Sequence, residues 1–331
     1  MANRELSYTQ AIREALVQEM RRDPSVYLIG EDIGAYGGSV GVTEGLQAEF
    51  GAQRVREAPI SEAAFVGAAV GSAITGMRPV VELMFSDFIT VCYDQIVNQA
   101  AKLRYMMGGQ VQVPVVIRAS SGGGTGASSQ HSQSLEALLC HIPGLKVVMP
   151  ATPQDAKGLM TAAVRDNNCV LFLEPKRLYH TTGPVGEEEY TLPLGEADLK
   201  RDGEDLTFIA WGSMVPVCLT AANQLQTQGV SAQVLDLRTL SPLDTQMILA
   251  CVKKTGRAVI AHEAVTFGGF GGEIAALIAE QAFFDLKAPV RRVGALFSPL
   301  PSSKVLEDTV LPGLQQLLAA ANSLLPKQAA Q

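Results

Sequence analysis

A single carboxylate, Glu62, stands at the head of a long run of small and apolar residues. Between Glu62 and Glu82 the only charged residue is Arg78, and Pro79 follows it. Burying a carboxylate is unfavourable unless the group is paired or used, because the charge loses its hydration. A helix-start carboxylate near the positive end of the helix dipole is the ordinary structural alternative. The residues alone therefore leave two interpretations of Glu62, a functional buried acid and a helix-start residue.

Three further stretches place polar side chains at points where predicted strands end. They are Glu31-Asp32, the junction at 84–88 (MFSDF) and the Gly-rich loop at 119–130 that leads to His131. In open parallel sheets, ligand sites lie beyond the carboxyl ends of the strands. The convergence predicts a site at this edge of the sheet, although each stretch taken alone is more typical of an ordinary loop.

Several nucleotide-binding and hydrolase motifs do not occur in the sequence. The Gly-rich stretches at 122–126 (GGGTG) and 268–273 (GGFGGE) form neither a Walker loop nor a GxGxxG turn between a first strand and a helix. The sequence also has no GxSxG nucleophile elbow and no HExxH zinc motif. These patterns therefore do not favour a dinucleotide enzyme, a serine hydrolase or a zinc protease.

The composition is rich in core residues and poor in charge, with 47% hydrophobic and 18% charged residues over 331 positions. This balance predicts surface that is buried against other subunits, and the net charge of −7 argues against a nucleic-acid partner. The five cysteines stand singly without a CxxC pair, which is typical of reduced core residues in a cytoplasmic protein. We expect no secretory leader, because residues 1–20 carry charges throughout and lack an apolar signal core. We also expect no membrane span, because no sufficiently long apolar window occurs.

Helix-like and strand-like periods alternate along the chain, which predicts an α/β fold of two domains. Each domain is expected to hold a mostly parallel sheet with helices on both faces. The predicted boundaries are a first domain at 1–180, a linker at 181–205, a second domain at 206–326 and a tail at 327–331.

Three predicted helices surround the candidate site in the first domain. The first covers 62–75, with Ser61 as its cap and Gly76 as its stop. The second covers 88–105, and the third begins at about Ser132, directly after His131.

Four stretches resemble the beta subunits of thiamine-diphosphate-dependent dehydrogenases. These subunits belong to the first components of the pyruvate, branched-chain 2-oxo acid and acetoin dehydrogenase complexes. The stretches are PISEAAFVGAAVGSAITGMRPVVELMFSDF, DQIVNQAAKLRYMMGG, QHSQSLEALLCHIPGLKVVMPATPQDAKGLM and VLDLRTLSPLD. The resemblance runs from about Ser7 to Leu325. It implies a transketolase-like pyrimidine-binding domain followed by a transketolase C-terminal-like domain.

The resemblance implies that Glu62 binds the aminopyrimidine ring of thiamine diphosphate and acts in catalysis. The thiazolium carbon of the coenzyme loses a proton to the coenzyme's own 4-amino group, which becomes basic when a carboxylate hydrogen-bonds the far ring nitrogen. Phe88 matches the family position that stacks on this ring, since a flat apolar face adds no competing hydrogen bonds. Ile60 and Met84 match positions that line the same ring. An ordinary core role for Phe88 remains the alternative.

Two further site residues follow from the resemblance. Glu31 matches a glutamate that contributes to an acidic relay between active sites, with loop capping as its structural alternative. His131 matches the catalytic histidine beside the reacting carbon, with a structural, hydrogen-bonded histidine as the alternative. That histidine orients the substrate carbonyl and donates a proton when the acyl group moves to lipoamide, a role that needs a pKa near the working pH.

The stretch at 162–168 (AAVRDNN) resembles the family's monovalent-cation loop. Oxygen ligands alone suit a hard cation such as potassium. A turn that ends a helix is the structural alternative. The implied ligands are the side chains of Asp166 and Asn168 and the carbonyl groups of Val115, Ala163 and Val164.

The family's diphosphate-binding half, with a magnesium motif of the form G-D-G followed by N-N, is absent from this sequence. The resemblance therefore implies an alpha subunit that holds magnesium and the diphosphate, in an α2β2 tetramer. It also implies that the second domain joins beta subunits and docks the dihydrolipoyl acyltransferase core.

The sequence leaves the substrate open among pyruvate, acetoin and a branched-chain 2-oxo acid. The medium-sized apolar lining of Met84 and Phe88 favours pyruvate or acetoin. A free-standing enzyme like transketolase or 1-deoxyxylulose-phosphate synthase, and a non-catalytic structural subunit, are the alternatives. A free-standing enzyme would need the magnesium motif in this chain. A structural subunit would have no need for Glu62, Phe88 and His131 together.

Overall fold

Strands and helices alternate along the whole described chain. The computed structural model describes residues 4–326. The strands are β1 (Arg4–Ser7), β2 (Val26–Gly30), β3 (Val55–Glu57), β4 (Arg78–Leu83), β5 (Val116–Ser121), β6 (Lys146–Val148), β7 (Val170–Pro175), β8 (Thr182–Val185), β9 (Asp198–Arg201), β10 (Leu206–Ala210), β11 (Ala232–Asp236), β12 (Thr239–Ser241), β13 (Ala258–Val265) and β14 (Arg291–Ala295). The α-helices are α1 (Tyr8–Arg22), α2 (Leu46–Phe50), α3 (Glu62–Ile74), α4 (Leu103–Met106), α5 (Glu136–Cys140), α6 (Pro153–Arg165), α7 (Met214–Gln226), α8 (Thr245–Thr255), α9 (Gly271–Gln281), α10 (Lys304–Val310) and α11 (Leu314–Leu324). Turns of 3-10 helix lie at Ser86–Thr90, Lys176–Leu178 and Phe283–Asp285, and a π-helix lies at Gln95–Ala100.

The first sheet has seven strands in the order β12-β6-β7-β5-β4-β2-β3. Its neighbours pair in parallel, except that β12 runs antiparallel to β6. Successive strand residues enter opposite cores, since Val80 packs with α1 and α6 whereas Val81 packs with α3. Nearly continuous apolar strands are typical of a parallel sheet that is covered on both faces. The predicted α/β architecture of the first half is confirmed.

The second sheet has five strands in the order β14-β13-β10-β11-β9. Only β9 is antiparallel to its neighbour among the described strands of this sheet. The helices α7 and α11 pack with Phe208 on one face, and α8 and α9 pack with Ile209 on the other. The second half therefore repeats the arrangement of the first, as the alternation of periods predicts.

The predicted linker at 181–205 contains two strands. Within it, β8 pairs antiparallel with β1, and β9 joins the edge of the second sheet. The short strand β12, from the second half of the chain, joins the edge of the first sheet. Short strands in a polar segment carry too few apolar residues to give a visible period, so sequence reasoning missed them. The predicted boundaries stay predictions, and the predicted tail at 327–331 lies outside the described residues.

Three helix predictions near the site differ from the structure. The predicted helix at 88–105 is divided into a 3-10 turn, a π-helix and the short α4. A hydrophobic period of three to four residues does not separate these helix types, and π segments are rare. The helix predicted from Ser132 begins only at Glu136, so His131 lies in a bend before it. Ser61 precedes α3, but its hydroxyl donates to the carbonyl oxygen of Pro59 instead of capping the helix.

The five cysteines are all free, in agreement with the predicted reduced state. Within residues 4–326, no helix combines the length and the apolar character that crossing a membrane requires.

A buried ion cluster joins the three central strands of the first sheet. Arg118 on β5 donates through Nε and Nη2 to the two carboxylate oxygens of Glu174 on β7, at 2.7 and 2.8 Å. Its Nη1 donates to Glu82 on β4. Tyr179 donates its hydroxyl proton to Glu174 at 2.8 Å. Since all three charged side chains are buried, each depends on the others for the interactions that water would otherwise supply.

We expect Arg118→Ala to lower the free energy of unfolding by about 3–5 kcal/mol, because two buried carboxylates would lose their cation. Urea unfolding followed by circular dichroism measures this change. The matched control is Lys304→Ala, which removes a cation from an exposed pair with Asp308 and should change stability by less than about 1 kcal/mol. Equal effects of the two substitutions would contradict the structural role of the cluster.

Candidate functional site

The carboxyl ends of β2, β4 and β5 meet at one edge of the first sheet, because these strands are parallel neighbours. Glu31 directly follows β2, the turn that carries Phe88 follows β4, and the loop that leads to His131 follows β5. Glu62 begins α3 after β3. The fold therefore brings the elements that carry these four predicted site residues to the same edge.

Glu31 and Glu62 form a pair of neighbouring buried acids, 9% and 6% exposed. Burial raises the pKa of Glu31, and the charges of Glu62 and Asp32 raise it further, against a hydrogen bond from the Ser61 backbone. Oε1 of Glu31 has no hydrogen-bond partner among the described residues. A buried acceptor without a donor is unfavourable, so this oxygen fits a donor from a bound molecule or from a partner.

His131 lies against two phenylalanine rings. Its ring centroid is 4.7 Å from that of Phe85 and 5.4 Å from that of Phe88, and both contacts are edge-to-face. The two phenylalanines contact each other at 5.9 Å. The aromatic pair therefore forms a half-buried apolar wall beside the imidazole, suited to a planar ligand.

Cys92 links the Phe88 turn to Glu62. Its thiol donates to the carbonyl oxygen of Phe88 at 3.5 Å. Burial, together with the nearby charge of Glu62, raises the pKa of this thiol to about 12. The carboxylate and the aromatic wall therefore share a neighbour, and Cys92 stays a neutral thiol at ordinary pH.

Two side chains hold the backbone around His131, and sequence reasoning missed both. Asp87 accepts hydrogen bonds from the backbone N and the side-chain Nε2 of Gln133, at 3.2 and 2.8 Å. Lys176 donates to the carbonyl oxygen of His131 and lies 5.1 Å from the centre of the Phe85 ring. Lys176 directly follows β7, so the strand-end rule that indicates His131 could also have indicated this lysine.

The other two predicted pyrimidine-lining residues are more open. Ile60 is 85% exposed at the approach to α3, and Met84 is half-buried at the end of β4. A large apolar side chain with this exposure next to buried acids suggests surface that another molecule covers.

The predicted cation loop is held by this chain's own cations. Asp166 pairs with Lys146, which lowers the pKa of the Asp166 carboxyl despite its burial. Arg78 donates to the Val164 carbonyl at 3.0 Å, and Arg104 donates to Asn168 Oδ1 at 2.7 Å. The other two predicted ligands are engaged as well: the carbonyls of Val115 and Ala163 accept from the backbone N–H groups of Val170 and Asp166. A potassium ion would have to displace or share these donors, so the potassium site stays a prediction.

Comparison with known proteins shows which family this arrangement belongs to. Residues 4–182 match the family "Transketolase, pyrimidine binding domain", and residues 195–317 match "Transketolase, C-terminal domain". The chain is 49% identical to the acetoin:2,6-dichlorophenolindophenol oxidoreductase subunit beta of Cupriavidus necator, over 97% of this chain and 98% of that protein. It is 44% identical to the pyruvate dehydrogenase E1 component subunit beta of Bacillus subtilis, over 97% and 99% of the two chains.

The chain belongs to this family of dehydrogenase beta subunits. The family that the sequence motifs indicate is thereby confirmed. A solved structure, "Split gene transketolase, inactive beta4 tetramer", is also similar, with a TM-score of 0.79 and 22% identity over 96% of this chain and 98% of that one. This likeness supports the two-domain fold of the beta subunit.

A fully buried acid, Glu136, lies just beyond His131 in this beta subunit and was not predicted. Trp211 donates from its indole N–H to Glu136 Oε1 at 3.2 Å, while Oε2 has no partner among the described residues. Burial raises the pKa of Glu136 to about 7. Glu136 therefore changes its charge near neutral pH, between the loop of His131 and the second domain.

The raised pKa gives the stability of this beta subunit a pH dependence. Between pH 4.5 and about 7 the folded state keeps a proton on Glu136 that the unfolded state releases, so stability falls as the pH rises through this window. Glu136→Gln should remove this loss, which amounts to on the order of 3 kcal/mol at pH 8. Urea unfolding at pH 5 and pH 8 measures it.

The exposed Glu280→Gln on α9 is the control, because it makes the same chemical change without burial. An equal change of stability between pH 5 and pH 8 in wild type and Glu136→Gln would contradict the role of Glu136.

Proposed function

We propose that this chain is the beta subunit of a thiamine-diphosphate-dependent dehydrogenase that acts on acetoin or pyruvate. It passes the two-carbon acyl group to the lipoamide of an acyltransferase, and it is active only with an alpha subunit. The observation that carries the proposal is the pair of buried acids Glu31 and Glu62 at the same sheet edge as Phe88 and His131. The proposal agrees with the identity to acetoin and pyruvate dehydrogenase beta subunits.

Glu62 holds the aminopyrimidine in this proposal. Thiamine diphosphate, when bound there, would supply a nucleophilic carbon for addition to the substrate carbonyl. The Glu62 carboxylate hydrogen-bonds the ring nitrogen and holds or releases a proton there. Phe88, half-buried beside it, offers an apolar face to the ring, and Ile60 and Met84 complete the lining. Glu31, whose Oε1 lacks a partner, extends the acidic path away from Glu62.

His131 serves the substrate side of the same site. The contacts with Phe85 and Phe88 fix the plane of its imidazole, and Lys176 fixes its backbone. In this position it orients the substrate carbonyl and donates a proton as the acyl group leaves for lipoamide.

An alpha subunit completes the assembly, as an α2β2 heterotetramer. Several large apolar side chains of the first domain lie open to solvent, among them Ile60, Val91, Tyr105 and Met106, 55–90% exposed. Such surface is typical of permanent subunit interfaces. The alpha subunit holds magnesium and the diphosphate, while the potassium loop is assigned no step. The five free cysteines support a cytoplasmic location.

The likeness favours acetoin as the substrate, because the identity to the acetoin enzyme is 49% against 44% for the pyruvate enzyme. Cleavage of acetoin gives acetaldehyde, and the remaining two-carbon unit reduces and acylates the lipoamide disulfide. The half-buried Met84 and Phe88 leave this side of the pocket apolar and of medium size.

We expect Glu62→Gln to lower kcat of the assembled tetramer at least about 100-fold, because it removes an acid–base group. Steady-state assay of the reconstituted enzyme measures this, and gel filtration checks the assembly. Glu49→Gln is the control, since Glu49 belongs to an exposed pair with Arg21. Near-normal turnover of a correctly assembled Glu62→Gln enzyme would remove Glu62 from the mechanism.

The substrate is tested by reconstitution with the alpha subunit. We expect kcat/KM to be higher for acetoin and pyruvate than for 2-oxoisovalerate, although one methylene changes discrimination by only about 1–3 kcal/mol. A preference for 2-oxoisovalerate would overturn the substrate choice.

The chain alone should neither turn over substrate nor bind magnesium thiamine diphosphate tightly in a calorimeter. Tight binding by the chain alone would favour a free-standing enzyme instead.

A further inference from the structure

The Gly-rich loop after β5 folds into a backbone anion-binding nest. Gly122, Gly124 and Gly126 have φ of 85°, 93° and 70°, in the left-handed region that favours glycine. Backbone turns of this kind direct successive N–H groups into one concavity, which in many proteins holds a phosphate.

In this chain the nest is filled by two carboxylates of the second domain. Glu263 Oε1 accepts from the N–H of Gly123 at 2.5 Å. Glu307 accepts from the N–H of Gly124 at 2.7 Å through Oε1, and from that of Gly126 at 3.1 Å through Oε2. The anionic groups that occupy the nest are therefore side chains of the same chain.

Both carboxylates are buried, and Glu263 is also held by a residue of its own domain. Glu307, on α10, is 0% exposed, and Glu263, at the end of β13, is 7% exposed. Ser213 donates its hydroxyl proton to Glu263 Oε2. Burial raises the pKa of Glu263, while the hydrogen bonds from Ser213 and Gly123 oppose this shift. A Cβ atom at Gly122 would collide with Glu263 Oε1, so the loop backbone and the carboxylate are fitted closely.

The same loop continues to His131 and is tied down at further points. Ser129 donates its hydroxyl proton to the carbonyl oxygen of Leu300, again in the second domain, at 2.9 Å. Lys176 holds the His131 carbonyl, and its charge interacts favourably with those of Glu263 and Glu307. Residues of both domains therefore hold the loop along its course from the carboxylate anchors to His131.

We propose that Glu263 and Glu307 are positioning residues, through which the second domain fixes the glycine loop and thereby places His131. The inference rests on the proposed function for the role of His131, but the anchoring itself does not. It gives the second domain a part in the reaction although it contributes no described residue to the aromatic and acidic site. It also assigns the Gly-rich motif a role within the chain, in place of phosphate binding.

The test compares Glu307→Gln with Asp308→Asn. Asp308 follows Glu307 on α10, but its side chain is 56% exposed and, within residues 4–326, pairs only with Lys304. Hydrogen exchange of the peptide 120–131, measured in the full chain and in the assembled tetramer, should become about tenfold faster in Glu307→Gln, because buried N–H groups lose a charged acceptor. Asp308→Asn should leave it unchanged. Equal exchange in the two variants would overturn the anchoring.

Activity tests the placement of His131. In the tetramer, Glu307→Gln should lower acyl transfer to lipoamide by roughly 10- to 100-fold, as expected for a displaced catalytic group. Turnover with an artificial dye acceptor should fall less, as it should in His131→Ala. An equal loss in both assays, or a faster-exchanging loop with normal transfer, would overturn the positioning role.

A second variant covers the case in which Glu307→Gln does not fold. Glu263→Gln changes the other anchor, on a different element, and should give the same pattern in both measurements. The variants can show the expected exchange while the wild-type tetramer has no dehydrogenase activity. In that case the proposed function fails and the anchoring stands.

Discussion

One guanidinium fixes the relative positions of the strands that carry the site. Arg118 lies between Glu82 and Glu174, and all three side chains are buried, out of reach of bulk water. A buried ion cluster of this kind adds little net stability but strongly penalises any arrangement that separates its members. It therefore sets β4, β5 and β7 at one level of the sheet. Beyond that level the same strands lead into the Phe88 turn, the glycine loop and Lys176, so the geometry of the site follows from a charge balance beneath it.

The second domain extends this constraint to the loop itself. A glycine-rich loop has high conformational entropy, and the left-handed glycines that shape it cannot supply side-chain contacts of their own. The structure compensates with carboxylates that reach over from β13 and α10. Each carboxylate accepts from backbone N–H groups of the loop that would otherwise be buried without a partner. Removing a carboxylate therefore leaves these N–H groups unsatisfied. The contact between the domains and the order of the loop therefore depend on the same hydrogen bonds.

Whether the sequence predicts a feature depends on how far apart in the chain the interacting residues lie. The alternation of apolar periods predicts both sheets and the helices on their faces, because these depend on neighbouring residues. The family motifs indicate Glu62, Phe88 and His131, whose elements the fold brings to one edge. The anchors of the loop are 140 and 183 residues away from the glycines that they hold, so no local pattern reveals them. The π-helix at Gln95–Ala100 was missed because its apolar spacing resembles that of an α-helix.

The buried acids around the site and the glycine loop differ in how completely their oxygens are hydrogen-bonded. Glu174 and Glu307 receive donors on both oxygens. Glu31 keeps one buried oxygen without a donor, beside the charge of Glu62, and the exposed Ile60 lies two residues before Glu62 in the chain. Natural sequences tolerate an unsatisfied buried acid mainly where a ligand or partner completes it. The missing donor of Glu31 lies at the edge of the sheet where a cofactor or an alpha subunit would supply it, whereas Oε2 of Glu136, unpartnered within residues 4–326, lies towards the second domain.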